Sequence, residues 1–249
     1  MRLIVLGSSA AYPQAGGACS GYLIEEGATR LLVDCGTGVV ANLQRYMALG
    51  DVTHIAISHM HADHFFDLFP FRYALRYGPV GGGRPALWLP PGGEQTVNHI
   101  ASALDASSSF FSEVFAVAEY NPGVALRAGD FTIEFAPARH YIPSYAMAVA
   151  GTRRLAYSSD TGPSPEVVRL ARGADLFLCE AGLCLPEEGE ERGHLTAQEA
   201  AGMAREAGVQ RLVLTHFWPT CDYSGALRDA TLAFGGPIEV AEANRIYTV

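Results

Sequence analysis

Short apolar runs separated by turn residues fill the first third of the chain. Leu3–Leu6, Tyr22–Glu25 and Arg30–Val33 have strand length and apolar or β-branched character, with Glu26-Gly27 as the turn between the last two. A helical pattern covers Val39–Leu49 and ends near Gly50; a buried-type strand follows at His54–Ser58, then a helix over about Phe66–Tyr77. After a helix at Gln95–Ala106, strands recur at Val114–Val117, Thr132–Ala136, Tyr145–Ala150 and Arg154–Ser158. Helix and strand then alternate: Pro165–Arg172, Leu176–Cys179, Ala197–Ala207 and Leu212–Thr215. Thr196 and Glu199 form a capping box before the third of these, each able to bond the other's backbone NH. Strand runs followed by alternation predict a layered α/β architecture. Gly78–Gly93 is the loosest stretch, but it encloses the apolar run Ala86–Leu89 and reads as loops around a strand. Residues 1–249 are therefore expected to form a single domain.

Composition narrows the partners. Apolar residues make up 49% of the chain and charged ones 17%, enough for a sizeable core. A net charge of −9 argues against a general nucleic-acid binder, although bound metals would add positive charge that composition does not count. No leader pattern and no run of roughly 18 apolar residues is visible. The five cysteines, Cys19, Cys35, Cys179, Cys184 and Cys221, are scattered, odd in number and without a CxxC pair. They predict a reduced, cytoplasmic protein without a disulfide framework or a thiolate zinc site.

The chemistry is concentrated in His59-Met60-His61-Ala62-Asp63-His64. His59 and His61 leave a strand end on the same side by its period of two, and Asp63 and His64 sit on the turn into a helix. Neutral imidazoles and a carboxylate suit Zn²⁺, Mn²⁺ or Fe²⁺. Such a string arises by chance only ~10⁻⁴ to 10⁻³ times in a chain of this composition. A lone histidine would read as a surface residue; three with an aspartate in six positions do not. Four ligands cannot complete two metal sites, and His140, Asp160 and His216 each lie just past a predicted strand, where α/β sheets present functional groups.

These residues resemble the metallo-β-lactamase superfamily over nearly the whole chain. The resemblance implies a four-layered αββα sandwich with a two-metal site along one edge. It implies His59, His61 and His140 on one metal, Asp63, His64 and His216 on the other, and Asp160 bridging them. Asp34, in Val33-Asp34-Cys35-Gly36, matches the family's early aspartate and implies a supporting role. Tyr157-Ser158-Ser159-Asp160-Thr161 is similar to the segment around the family's bridging aspartate, with serine where glycine is common. Two divalent ions per chain are implied, zinc foremost, with manganese or iron as alternatives.

Two divalent ions with Asp63, Asp160 and a bridging hydroxide would carry about +1, which favours an anionic or polarised electrophile. His194, in Gly193-His194-Leu195-Thr196, resembles the acid histidine of the phosphodiesterase branch, which includes ribonuclease Z and the cyclic phosphodiesterases of phosphonate breakdown. The segment from His64 to Arg72, and Leu6-Gly7-Ser8-Ser9 with Pro13 and Ser20, are similar to that branch as well. The expected reaction is in-line attack on phosphorus by the bridging hydroxide, with Asp63 and His194 as the catalytic side chains. Only nineteen residues separate His140 from Asp160, too few for a tRNA-gripping arm, and only Cys19 stands where the phosphonate enzymes carry zinc-binding cysteines. The substrate is therefore expected to be a small anionic phosphodiester, cyclic or short nucleotides included, for an enzyme without membrane attachment and able to dimerise. The alternative is a hydrolase of lactones, thioesters or other carboxyl compounds on the same centre. A flavin-linked oxygen reductase, a secreted β-lactamase and a purely structural zinc protein fit the residues less well. His54 and His99 are expected to be structural and solvated, respectively. Glu180 is left between a supporting role at the site and a plain structural bond. Ser8, Ser9, Arg139, Tyr141, Ser159 and Thr161 are candidates for the pocket wall. The Phe65–Tyr77 aromatics are expected in the core and pocket wall, and the charged run Glu187–Arg192 in a solvated loop.

Overall fold

In the computed structural model, residues 1–79, 83–185 and 192–249 are described. Gly81, Gly82 and the charged run from Glu187 to Glu191 lie outside them. One sheet contains β1 (Arg2–Gly7), β2 (Gly21–Glu26), β3 (Thr29–Val33), β4 (His54–Ala56), β5 (Ala86–Leu89) and β6 (Ala116–Glu119). The other contains β7 (Leu126–Ala128), β8 (Phe131–Pro137), β9 (Tyr145–Ala150), β10 (Arg154–Tyr157), β11 (Leu176–Glu180), β12 (Leu212–Thr215) and β13 (Ile238–Val240). The last strand, β14 (Ile246–Thr248), returns to the first sheet. The orders are β14-β1-β2-β3-β4-β5-β6 and β13-β12-β11-β10-β9-β8-β7.

The apolar runs are continuous because both faces of each sheet are covered. Along β1, Leu3 and Val5 face the opposite sheet, while Ile4 and Leu6 face helices. Against the first sheet pack α1 (Val39–Leu43), α2 (Ala62–Phe65), α3 (Leu68–Tyr77) and α4 (Gly93–Ala103). Against the second pack α5 (Pro165–Ala171), α6 (Ala197–Ala207) and α7 (Ser224–Phe234). A third apolar cluster, including Leu31, Phe131, Val149 and Leu178, fills the space between the sheets. The result is the expected αββα sandwich.

Strand direction gathers the loops that matter. β10, β11 and β12 are parallel to one another, and β8 joins them in direction through two antiparallel pairings with β9. All four therefore end at one edge of the second sheet. β4 is parallel to β3 and β5 in the first sheet, and the chain just past it meets that edge. His59 forms an isolated antiparallel bridge with Ser144, and the Tyr145 NH donates to the Ser58 carbonyl at 3.2 Å. The two sheets are thus joined where their strands end.

Several elements differ from the sequence reading. The helix expected over Val39–Leu49 stops at Leu43, with the Tyr46 hydroxyl turned onto the Asn244 carbonyl at 3.0 Å. The helix expected over Phe66–Tyr77 is α3, the turn expected at Asp63 and His64 is itself the short helix α2, and between the two Asp67 accepts the Val40 NH at 2.9 Å, capping α1. α7 was not anticipated, although Leu227, Ala230 and Phe234 recur on one face against the second sheet's helical core. β7, β13 and β14 are three residues each, too short to announce themselves. Cys184 and Cys221 form a disulfide across 37 residues, contrary to the expectation of unpaired thiols. They follow the adjacent parallel strands β11 and β12, whose loops lie side by side, and this adjacency is invisible in sequence spacing. Cys19, Cys35 and Cys179 are buried thiols.

Phe131 is fully buried between the sheets. Phe131→Ala is expected to lower unfolding stability by about 3–5 kcal/mol, measured as a shifted urea midpoint at unchanged m-value.

Candidate metal centre

The residues singled out in the sequence converge at this edge. His61 stands at the N-terminus of α2 with Asp63 and His64 in its only turn, so the three side chains diverge from one short helix. That turn is pressed onto the loop after β3: the Cys35 NH donates to the His64 carbonyl at 2.7 Å, and a Cβ on Gly36 would lie 1.9 Å from the Asp63 carbonyl oxygen. Only glycine permits that approach. His140 follows β8, Asp160 follows β10 and His216 follows β12.

Their ligand atoms form two adjoining groups, and His194 makes a third, overlapping one with Asp160 and His216. His59, His61, His140 and Asp160 bring nitrogen and oxygen atoms within 4.8 Å of one another, as do Asp63, His64 and His216. Asp160 lies between them, with Oδ1 3.4 Å from His64 Nε2 and Oδ2 3.3 Å from His216 Nε2 and 3.7 Å from His59 Nε2. Three buried atoms that face the cluster have no hydrogen-bond partner among the described residues: His59 Nε2, His64 Nε2 and Asp160 Oδ1. Buried polar atoms are rarely left so. Donor type, convergence and missing partners all fit metal cations.

For His59, His64 and His140 the opposite ring nitrogen is occupied, which fixes those rings. His64 Nδ1 meets Asp34 Oδ2 at 2.8 Å, His140 Nδ1 meets the Gly193 carbonyl at 2.8 Å, and His59 Nδ1 lies 3.1 Å from the Ser58 hydroxyl. With Nδ1–H donated to a carboxylate or carbonyl, Nε2 is the atom left free to coordinate a metal. Fully buried Asp34 also accepts the Ser58 NH at 2.7 Å, the Ser58 hydroxyl at 2.9 Å and the Tyr157 hydroxyl at 2.8 Å. Burial and the Asp34 carboxylate beside it hold Tyr157 well above the usual phenol range, so it stays a donor.

The electrostatics follow from crowding. Burial opposes ionisation of Asp160, but the His216 and His64 imidazoles outweigh it and hold the carboxyl well below its ordinary value. Burial likewise disfavours a charged His64, yet Asp160 and Asp34 push it well above its ordinary value. Burial takes His140 down to about 4, against the pull of Asp160, so it is neutral and ready to ligate at pH 7. Cation binding at His64 must therefore displace a proton.

The backbone is strained at the same place. Asp34, Ser159 and His216 all lie in the left-handed region, with φ of 57°, 53° and 58°. Each costs about 1 kcal/mol or more for a residue with a side chain. The Ser159 hydroxyl bonds that of Ser144 at 2.9 Å.

A matching profile then decides the family: that of the β-lactamase superfamily domain aligns with residues 29–217. The chain belongs to the metallo-β-lactamase superfamily. Bacillus subtilis "Probable metallo-hydrolase YhfI" is 29% identical over 251 residues, covering 99% of both chains. The YhfI crystal structure superposes with a TM-score of 0.87 at 26% identity, covering 99% of each chain. The ribonuclease Z of Myxococcus xanthus is 30% identical over 97% of this chain and 95% of its own. The short form of human tRNase Z shares the fold, with a TM-score of 0.77 at 23% identity over 100% of this chain and 99% of its own. This chain is accordingly a metallo-hydrolase.

Around the superfamily's metal edge lies a cavity of about 580 Å³, lined by His61, Asp63, Asp160, His194 and His216 at its polar end and by Tyr141 near them. His194 Nδ1 bonds Glu180 Oε1 at 2.9 Å, with its ring stacked on His216 at 5.5 Å between centroids. Glu180, open to two roles in sequence, is fully buried and also accepts the NH groups of Thr161, Gly182 and Leu195 at 2.8, 2.9 and 3.1 Å. It ends β11, beside β10 and β12, and no sequence interval announces that pairing. Tyr157 and Trp218 were missed for the same reason.

Other expectations divide. Tyr141 lines the cavity, while Ser159 and Thr161 are buried beneath the ligands. Ser8 and Ser9 face a separate hollow with Gln14–Ala18, because the Ser8 hydroxyl donates to the Ala241 carbonyl at 2.8 Å. Arg139 meets Thr161 through its backbone NH at 3.0 Å and does not line the cavity. His54 stacks on Trp88 away from the site, and His99 is exposed on α4. Among Phe65–Tyr77, Phe65 and Phe71 are core residues, whereas Phe66, Tyr73 and Tyr77 are exposed. No helix among the described residues is long and apolar enough to cross a membrane.

Replacing Asp34 by alanine removes the acceptor of His64 Nδ1–H and of Tyr157. Asp34→Ala is expected to weaken zinc binding about 10- to 100-fold in competition with a chelating dye, with the fold retained by circular dichroism.

Proposed function

We infer that the chain is a binuclear phosphodiesterase acting on a small phosphodiester, cyclic ones included. The observation that carries this reading is His194, held by a buried carboxylate at the mouth of the cavity beside the ligand cluster. His59, His61 and His140 would hold one divalent ion, zinc foremost, and Asp63, His64 and His216 a second, with Asp160 shared. Such ions supply Lewis-acid polarisation of the phosphoryl oxygens and a water acidic enough to react at neutral pH.

The chain's own residues supply the rest. Glu180 accepts from Nδ1 of His194 and stabilises its imidazolium, which sets the ring to deliver a proton from Nε2 to the departing oxygen. Stacking against His216 and edge contact with His140 at 4.9 Å keep that ring over the centre. Asp63 takes the Ala11 NH at 2.8 Å on the same oxygen that faces His216 at 3.3 Å, so its carboxylate is oriented and ionised for its place at the attack side. Burial works against that ionisation, but the His216 hydrogen bond and the His64 charge hold Asp63 below the ordinary carboxylate range. Ribonuclease relatives break phosphodiester bonds, as their names state, which supports the reaction class. The cavity holds a drug-sized molecule, not a folded RNA.

The test is a panel of phosphodiesters, lactones and thioesters on zinc-, manganese- and iron-loaded protein. Turnover of diesters but not carboxyl compounds is expected, and the reverse would overturn the reading. His194→Ala is expected to keep its metals and lose roughly 10²- to 10⁴-fold in kcat on a diester with an alkoxide leaving group. The loss should be much smaller with p-nitrophenolate, which departs without a proton. An equal loss on both would remove His194 as the acid.

A further inference from the structure

The cavity has a second end with different chemistry. Away from the ligand cluster its wall is Ala10, Ala11, Leu183, Cys184 and Trp218, and none of the described residues lining it is lysine or arginine. Among the described residues, the part of a substrate that lies away from the ligand cluster meets a mostly apolar surface. Trp218 is 43% exposed there, and Tyr12 meets it edge-on, with ring centroids 6.1 Å apart at 88° and 45% of its own surface open.

An exposed tryptophan alone says little; here the backbone that carries the ring is anchored from several sides. The Tyr223 hydroxyl accepts the Trp218 NH at 3.0 Å and donates to the Gly182 carbonyl at 3.0 Å, tying the loop after β12 to the loop after β11. The Cys184–Cys221 disulfide joins the same two loops covalently. On the other side, the Ala10 NH donates to the Phe217 carbonyl and the Phe217 NH to the Ser8 carbonyl, both at 3.0 Å. The Ala11 NH reaches Asp63 Oδ2 at 2.8 Å, so Tyr12 follows a residue bonded to a metal-ligand candidate, and Trp218 stands two positions after His216. The aromatic pair therefore sits at a fixed place relative to the metal end. A preorganised aromatic wall loses little freedom on binding, and its preferred occupant is another flat ring.

We propose that Trp218, braced edge-on by Tyr12, forms the subsite that receives a flat aromatic group of the substrate, a nucleobase or an aryl ring, while its phosphate lies at the metal end. The assignment rests on the phosphodiesterase reading for the phosphate; the ring subsite is separable from it by experiment. Zinc-loaded protein is titrated calorimetrically with two pairs of monoesters, adenosine 5′-monophosphate against ribose 5-phosphate and phenyl phosphate against methyl phosphate. The ring-bearing member of at least one pair is expected to bind roughly 10- to 100-fold tighter than its ringless partner, and which pair responds distinguishes nucleobase from aryl. Binding should quench tryptophan fluorescence. Trp88, the chain's only other tryptophan, stacks on His54 away from the cavity, so the signal reports Trp218. In Trp218→Ala the preference should fall to about one, and Trp218→Phe, which keeps a ring, should restore most of it. Circular dichroism and melting temperature control for folding. Equal affinities within both pairs, or a preference that survives Trp218→Ala, would overturn the subsite. Ringless phosphates that bind metal-free and zinc-loaded protein equally would instead count against the phosphodiesterase reading.

Discussion

A carboxylate buried among imidazoles governs this structure. Asp160 is 2% exposed, and its oxygens lie within 3.3–3.9 Å of nitrogens from His59, His64, His140 and His216. Taking an ionised carboxylate out of water costs several kcal/mol unless opposite charge meets it. Asp160 and Asp34 push the His64 imidazole well above its ordinary value, which meets part of that need, yet His59 Nε2, His64 Nε2 and Asp160 Oδ1 have no hydrogen-bond partner among the described residues. Divalent cations, as proposed, would answer both demands at once.

The fold serves that arrangement by bringing strand ends from two sheets to one edge. Tyrosine hydroxyls lock the sheets together directly beneath it: Tyr157 on β10 reaches Asp34 after β3, and Tyr22 on β2 meets Thr215 on β12 at 2.7 Å. The same tyrosines pack with ring centroids 5.1 Å apart. Left-handed backbone at Asp34, Ser159 and His216 turns each chain segment sharply out of its strand. Strain of this kind survives only where surrounding bonds over-determine the geometry, and the four donors on Asp34 do so.

What the sequence made legible was local. His59 to His64 fall within six residues, and their spacing on a strand end and a helix turn announces the chemistry without any tertiary knowledge. His140, Asp160 and His216 were recognisable by their position past strands and by resemblance. Glu180, Tyr157, Trp218 and the Cys184–Cys221 bridge were not, because their roles depend on β10, β11 and β12 lying side by side and in register. Ser8 and Ser9 illustrate the converse: near the site in the family pattern, they are turned away by a hydrogen bond to Ala241. α7 was overlooked because its apolar face is narrow and most of its surface is solvated.

In the proposed centre Asp160 is shared between two metal sites. Metal content per chain, measured by plasma mass spectrometry on protein reconstituted with zinc and desalted, tests it most directly. The account predicts two ions in the wild-type chain and fewer than one in a folded Asp160→Ala variant. A wild-type chain that holds one ion or none, or an Asp160→Ala variant that keeps both, would contradict it.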